Sequence, residues 1–526
     1  MASPDPQPQA PARRSYLAAF LVLGAVLAFG ALLFLANFSG APTARPRNTN
    51  TDPFAAFGTS KAKTGKGGKA KAAGGGGAKA AKVADKDLWV TGPPLDRPAA
   101  PAGAKNVVFV VITAVRRDAL TPYGAPADRT PYLQEVAAEG ARFTDLVAGG
   151  PFSRTSAVAF LAGRHAASVD MVDPGPGPEQ RVLRDDVTTL AETLRSSGWY
   201  TLGVTANFNL NTASGLAQGF DRYRDAQLGG FAPGLRVDAD KAVSEALLGL
   251  SKRTPEEAAR PFYLQLDLVD AHVPLLVDPA FDEQFDPDEP NVEYRSGVRR
   301  DDDAIRTLMD DLASQGHTID TDTVFVVLSD HGEGNDDPPH HGTMHGRLLY
   351  ETSVGVPWIV AGPNVPANRL IAGLASHTDV MPTVLGLVGV TAPDGIDGQS
   401  WATQVQGQGD RTTRTRAFSD TWYFTANRSS IWTDKLQCQK DFGSTGIDDA
   451  FADGCFDRTT DPTFKNLIHD PALEAELVAW RAEVSKAVSP ATVPAPGAET
   501  EPGAPSSRDA LLPEGGVEAE EAAPGQ

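Results

Sequence analysis

Cysteine is scarce in this chain and positive charge is outnumbered by negative. Lys and Arg number 47 against 67 Asp and Glu, a formal net charge of -20 at pH 7. Most of such a surface repels a phosphate backbone, so no nucleic-acid partner is expected. Only two cysteines occur, Cys438 and Cys455, and no C-x-x-C pair, which leaves no cysteine-based structural zinc site to consider. Their spacing suits a disulfide closing a modest loop in an oxidising compartment, and equally two free thiols in a reducing one. There is no internal repeat. At 526 residues the chain has room for one large domain or two ordinary ones, with a core that needs no staples.

Long uncharged stretches are also scarce. One stands out, SYLAAFLVLGAVLAFGALLFLANF at residues 15–38, after a short tail at 1–14. It is long enough to cross a hydrocarbon core of roughly 30 Å. A secretory signal has a shorter apolar core, of about 7–15 residues, so an uncleaved transmembrane helix contacting membrane lipid is expected, although APTA at 41–44 leaves cleavage open. Arg13 and Arg14 precede the run and Arg45 and Arg47 follow it, so the positive-inside count barely fixes its orientation. Residues 39–104 contain KAKTGKGGKAKAAGGGGAKAAK, with no apolar periodicity, and are expected to form a disordered tether whose lysines could rest on anionic headgroups. Residues 489–526 are Pro-rich and acidic and are expected to be a disordered tail.

Between tether and tail, apolar strands alternate with amphipathic helices. NVVFVVI, YTLGVTA, PFYLQLDLVD and DTVFVVLSD read as strands. TPYLQEVAAEG carries an N-cap Thr, a Pro at the first helical position and a closing Gly, and DDAIRTLMDDLASQG places Ile305, Leu308, Met309 and Leu312 on one helical face. This order predicts an α/β fold, a mostly parallel sheet between helices with the site at the carboxyl ends of the strands.

The densest chemistry lies in LSDHGEGNDDPPHHGTMHGRLLYE, residues 328–351. Asp330 and His331 leave a strand together, and four of the nine histidines, His331, His340, His341 and His345, fall in this loop. A carboxylate beside imidazoles offers ligands for a divalent metal and proton carriers near neutral pH. An isolated match of this kind also describes a solvated polar loop.

SDHGE, HHG, HGRLLYE and VPWIVAGP together resemble the sulfatases and their phospho-transferring relatives in the alkaline phosphatase superfamily. NVVFVVITAVRRDALTPYGAPADRTPYLQEVAAEGARFTD is similar to that family's opening strand, loop and helix. GPFSRTSAVAFLAGRH resembles its nucleophile segment, LVDAHVPL a strand bearing a substrate-side histidine, and SHTDVMPTVLGLVGV its late helix. The resemblance spans residues 106–390 and implies an alkaline-phosphatase-like domain at 105–410 with a small C-terminal α+β subdomain at 411–488. It implies a divalent metal, calcium or magnesium, with manganese or zinc as alternatives, on Asp330 and His331. Ser153 falls at the nucleophile, His272, His341 and His345 at catalytic histidines, and Arg154 and Arg116 at anion-binding positions.

Two departures from the pattern are equally plain. Where the family places its first acidic ligand this chain has Thr113, followed by Ala114, a degenerate metal position. In SRTSA, Thr155 and Ala157 replace the proline and arginine that conversion to formylglycine requires, so an unmodified serine is expected. The resemblance further implies an exported domain on a single-pass anchor in the cytoplasmic membrane, N-terminus inside, with Cys438 and Cys455 bonded. Its substrate would be a sulfated or phosphorylated small molecule or glycan. Three functions remain open: a hydrolase of sulfuric or phosphoric esters, an inactive domain that binds an anionic envelope glycan or a protein partner, and a phospho-group transferase using Ser153. Trp422, Tyr423 and Trp432 are expected in the core of the small sheet rather than lining a cleft.

Overall fold

The run NVVFVVI carries no charge and is buried along its whole length, which a strand can be only at the centre of a sheet covered on both faces. In a computed structural model this is so. The structure describes residues 89–172, 181–225, 237–276, 279–286, 289–337, 340, 345–409, 414–423, 426–444, 451–461 and 465–488. All belong to one compact unit. The expected membrane span, most of the tether, the acidic tail and His341 lie outside the described residues. Among those described, no helix is long and apolar enough to cross a membrane.

The main sheet has ten strands. In chain order they are β1 (Val90–Thr91), β2 (Asn106–Ile112), β3 (Ala141–Val147), β4 (Tyr200–Thr205) and β5 (Arg222–Arg224). Then come β6 (Phe262–Leu268), β7 (Thr323–Leu328), β8 (Gly355–Val356), β9 (Trp358–Ala361) and β10 (Arg369–Ser376). They lie in the order β1-β5-β4-β6-β2-β7-β9-β3-β10, with β8 against β3. Strands β5, β4, β6, β2 and β7 pair in parallel, as do β3 and β10. β9 runs antiparallel between β7 and β3, and β1 is antiparallel to β5.

Alternation along β2 divides the core in two. Val107, Phe109 and Val111 join one cluster, with α2 (Ser153–Ala162), α3 (Leu190–Ser196) and α6 (Val380–Leu387). Val108, Val110 and Ile112 join the other, with α1 (Pro131–Glu139), α4 (Ala239–Ser251) and α5 (Val292–Ser314). α1 lies where the Thr-Pro start and Gly stop place it, and Ile305, Leu308, Met309 and Leu312 of α5 are buried as their spacing predicts.

One boundary needs correcting. The tether expected to reach residue 104 has already joined the sheet at Val90–Thr91, which pair with Arg222 and Tyr223. Trp89 packs against the core beside it, and Arg97 pairs with Asp221 at 2.7 Å, contacts that a Gly-Ala-Lys composition upstream does not announce.

A second, antiparallel sheet holds β11 (Ala417–Thr421), β12 (Arg428–Trp432), β13 (Leu436–Asp441) and β14 (Gly454–Asp457), backed by α7 (Pro471–Val484). Cys438 and Cys455 face each other across β13 and β14 and are bonded, which settles the choice left open by their spacing. The bond closes a loop of 17 residues. Loops of that length gain about 3 kcal/mol from cross-linking, so Cys438→Ala with Cys455→Ala should lower the free energy of urea unfolding by about that much. Trp432 and Tyr423 are buried and Trp422 half-buried, but not in the core of the small sheet as expected: Trp432 joins the main core under the Arg458 guanidinium, Tyr423 packs on Phe152 and Trp422 lies under Arg481. Arg458 also ties the two sheets together, donating to Asp145 of β3 at 2.7 and 2.9 Å and pairing with Glu351 at 3.3 Å.

Candidate active site

The carboxyl ends of β2, β6 and β7 lie side by side because the three strands are parallel neighbours. β7 delivers Asp330 and His331, β2 delivers Thr113, and His272 follows β6. The tip of β2 is bent: Ala114 has φ 64°, a left-handed conformation unfavourable for a residue with a Cβ. Two hydrogen bonds hold it, Ala114 N to Asp330 Oδ1 at 3.1 Å and the Tyr294 hydroxyl to Ala114 O at 3.1 Å. Such enforced strain is a mark of functional segments.

Ser153 is the first residue of α2 and is fully buried. Its Oγ lies 3.3 Å from His331 Nε2 and accepts a hydrogen bond from Asn207 Nδ2 at 3.0 Å. The same amide donates to Thr113 Oγ1 at 3.2 Å, so one asparagine at the end of β4 links the degenerate position to the serine. Asn207 is itself fixed, its N–H on Thr205 Oγ1 and its Oδ1 under the Asn209 N–H, both at 3.0 Å.

The imidazole tautomers follow from their partners, because a carbonyl or carboxylate oxygen can only accept. His331 Nδ1 donates to Gly332 O at 2.8 Å, and His345 Nδ1 to Glu333 Oε2 at 3.0 Å. His272 Nδ1 donates to Val273 O. Burial, the largest influence, draws His331 below the ordinary histidine value despite the neighbouring Asp330. Burial also opposes charge on His345, but the Glu333 carboxylate outweighs it and raises that ring. A ring nitrogen from each of His272, His331 and His345 lies within 4.8 Å of the other two. Gly332 keeps the loop close: a Cβ there would fall 1.9 Å from Thr352 O.

The structure thus brings together Thr113, Ser153, His272, Asp330, His331 and His345. Arg154 is buried in the first turn of α2. Arg116 is engaged elsewhere, on Asp118 at 2.7 and 2.9 Å and on Asp337, so its guanidinium is held by carboxylates rather than presented to an anion. Four residues escaped the sequence reading: Asn207, Glu333, Asp267 and His377. Asn207 follows a strand and Glu333 stands inside SDHGE, signals that position alone could have supplied. His377 is a brace, accepting from Gly149 N at 3.3 Å and donating to Ser329 O at 3.1 Å, and burial pushes its pKa down to about 3.

This fold and site define a class. The family model described as Sulfatase matches residues 105–390, and one described as N-sulphoglucosamine sulphohydrolase, C-terminal, matches residues 339–479. The chain belongs to the sulfatase family, ester hydrolases that typically use a divalent metal, calcium. It is 23% identical over 358 residues to an ulvan-active sulfatase of Formosa agariphila, covering 60% of this chain and 66% of the relative, just under two thirds of that protein's length. A protein solved in complex with its substrate D-glucosamine-2-N,6-O-disulfate superposes with a TM-score of 0.61 at 18% identity, over 73% of this chain and 98% of that one. A phosphonate monoester hydrolase from Silicibacter pomeroyi gives 0.54 at 19% identity, over 73% and 94%. At these identities the two structures show the fold.

Calcium does not fit the described residues. It takes about six to eight oxygen ligands. Asp330 Oδ1 already accepts from the amides of Ala114 and His331, at 3.1 and 2.8 Å, and Thr113 offers a hydroxyl that accepts from Asn207. Asp330 Oδ2 remains, buried and without a hydrogen-bond partner among the described residues. Among the described residues, the further donors beside it are the ring nitrogens of His331 and the histidines grouped with it.

Proposed function

We propose that this chain hydrolyses sulfuric or phosphoric esters, with the unmodified hydroxyl of Ser153 as nucleophile. The observation that carries the reading is the placement of Ser153 Oγ, at the start of a buried helix, 3.3 Å from His331 Nε2 and 3.0 Å from Asn207 Nδ2. Ser153 Oγ attacks sulfur or phosphorus, its proton passes to the His331 ring, and the ester oxygen departs as an alcohol after taking a proton. His345, held toward its charged form by Glu333, is suited to supply that proton. Water then attacks the seryl ester and frees sulfate or phosphate. The N-terminal end of α2, where Ser153 stands, favours negative charge that develops on the transferring group. The substrate is a sulfated or phosphorylated small molecule or glycan, and the domain works on the exported side of the cytoplasmic membrane, anchored through the uncharged run at residues 15–38. The uncharged run and the Cys438–Cys455 bond support that placement.

The full chain in detergent should cleave at least one of 4-nitrophenyl sulfate, 4-nitrophenyl phosphate and a phosphonate monoester, followed as released nitrophenolate. A second reading, binding of an anionic glycan or partner without turnover, draws on Thr113 standing where an acidic ligand belongs. Release no faster than in Ser153→Ala on all three esters would favour it over hydrolysis.

A further inference from the structure

Thr113, standing where an acidic residue belongs, has a neighbour of another kind. Thr113 Oγ1 at the tip of β2 and Ser153 Oγ at the start of α2 both accept from Nδ2 of Asn207, at 3.2 and 3.0 Å. An amide nitrogen carries two hydrogens, so one serves each oxygen. The amide can face only this way, because its Oδ1 accepts from the Asn209 N–H at 3.0 Å and a reversed amide would set N–H against N–H there. Its supports are rigid. Thr113 N donates to Leu268 O at 2.9 Å and Asn207 N to Thr205 Oγ1 at 3.0 Å, and Thr113, Asn207 and Ser153 are all buried. The consequence falls on the serine proton. A hydroxyl has one hydrogen to give. With the amide donating to Ser153 Oγ, that hydrogen turns to the other neighbour, His331 Nε2 at 3.3 Å, an acceptor because His331 Nδ1 donates to Gly332 O at 2.8 Å.

We propose that Asn207 is a catalytic residue, aiming the Ser153 hydroxyl at His331 and stabilising negative charge on Oγ, and that Thr113 is the positioning residue that holds Asn207 to this task. The proposal rests on Ser153 as the nucleophile of the hydrolysis set out above. During attack Oγ forms its bond to sulfur or phosphorus as its proton passes to His331 Nε2, and the amide N–H offsets the charge that gathers on Oγ. During release the bond from Oγ to sulfur or phosphorus breaks as the bond to the water oxygen forms. The electron pair then returns to Oγ and meets the same N–H. Thr113 is therefore an anchor in its own right. Its neutral oxygen holds the amide without placing a second negative charge beside Asp330, which already accepts from the neighbouring Ala114 N–H.

The probe is a small fluorophosphonate, whose phosphorus takes Ser153 Oγ while the bond to fluorine breaks, fluoride leaves and the serine proton passes to His331. It reads the readiness of Ser153 without requiring turnover. Labelling of the full chain in detergent is followed by intact mass and located by peptide mapping, beside cleavage of the nitrophenyl and phosphonate esters. The parent should be labelled at Ser153. Asn207→Leu, which keeps the volume and loses both N–H groups, should slow labelling about 100-fold. Thr113→Val should slow it about tenfold, and Thr113→Ser should recover most of that loss, as a merely structural role would not. In the Asn207→Leu background Thr113→Val should cost no more than about twofold further, because the hydroxyl acts through the amide. In ester cleavage the losses should fall on kcat, with KM changed by no more than about threefold. Circular dichroism confirms that each variant is folded, and the Thr113→Val and Thr113→Ser pair decides the matter should Asn207→Leu fail to fold. An unlabelled Ser153 in the parent, labelling of Asn207→Leu within about threefold of the parent, or equal rates for Thr113→Val and Thr113→Ser overturns the proposal. The hydrolase reading fails separately: the expected labelling pattern with none of the esters cleaved supports the proposal and removes that reading, whereas ester cleavage with labelling indifferent to Asn207 overturns the proposal alone.

Discussion

Ser153→Ala should reduce ester cleavage about 10⁴-fold or more, the scale at which loss of a catalytic nucleophile is felt. The loss should fall on kcat, since the hydroxyl is the atom that forms the new bond. The fold should survive. Ser153 is not the capping residue of α2, whose N-cap is Phe152, and Asn207 Nδ2, which loses Ser153 as an acceptor, keeps Thr113 Oγ1 at 3.2 Å. The stability cost is therefore about 1 kcal/mol. Urea unfolding and initial rates on the same preparations separate the two effects. A variant that retains activity within about tenfold of the parent would assign the nucleophile elsewhere, because water and the oxyanion donors alone account for far less than that.

The sheet was legible because its strands are nearly free of compromise. Beyond the Asn and Thr at their first positions, NVVFVVI and TVFVVL are wholly apolar on both faces, and both proved buried throughout and adjacent. The histidine loop was legible because Asp330 and His331 leave a strand end, the position where parallel sheets keep their chemistry. What could not be read is where side chains aim after folding. Arg116 matched an anion-binding position by order, yet Asp118 and Asp337 are close enough in space to claim it. Asn207 lies 54 residues from Ser153 and 94 from Thr113, and only the parallel order β4-β6-β2 brings it to both. Thr113 read as a missing ligand, and its hydroxyl turns out to be wired to the serine through that amide. Trp89 and Val90 were swallowed by a low-complexity composition whose end has no local marker, since two-residue edge pairing depends on its partner strand.

Beneath the site, Asp267→Asn should stabilise the protein by about 4 kcal/mol at pH 8 and by only about 0.5 kcal/mol at pH 4. Asp267 sits in β6 opposite Val111 of β2 and Thr205 of β4, with no exposed surface. Gln265 Nε2 donates to its two oxygens at 3.2 and 3.3 Å, but this does not offset burial, and the charge of Asp330 adds to the cost. The carboxyl is pushed up to about 7. Between about pH 4 and pH 7 the folded state therefore holds a proton that the unfolded state has released, and stability contributed by this group falls as pH rises through that window. About three pH units at about 1.4 kcal/mol each give the difference. Asparagine has nearly the shape of the protonated acid and never ionises, so the variant escapes the decline while matching the parent in acid. Urea midpoints at the two pH values measure this directly, and a stability difference that is the same at both would mean that Asp267 is not protonated in the fold.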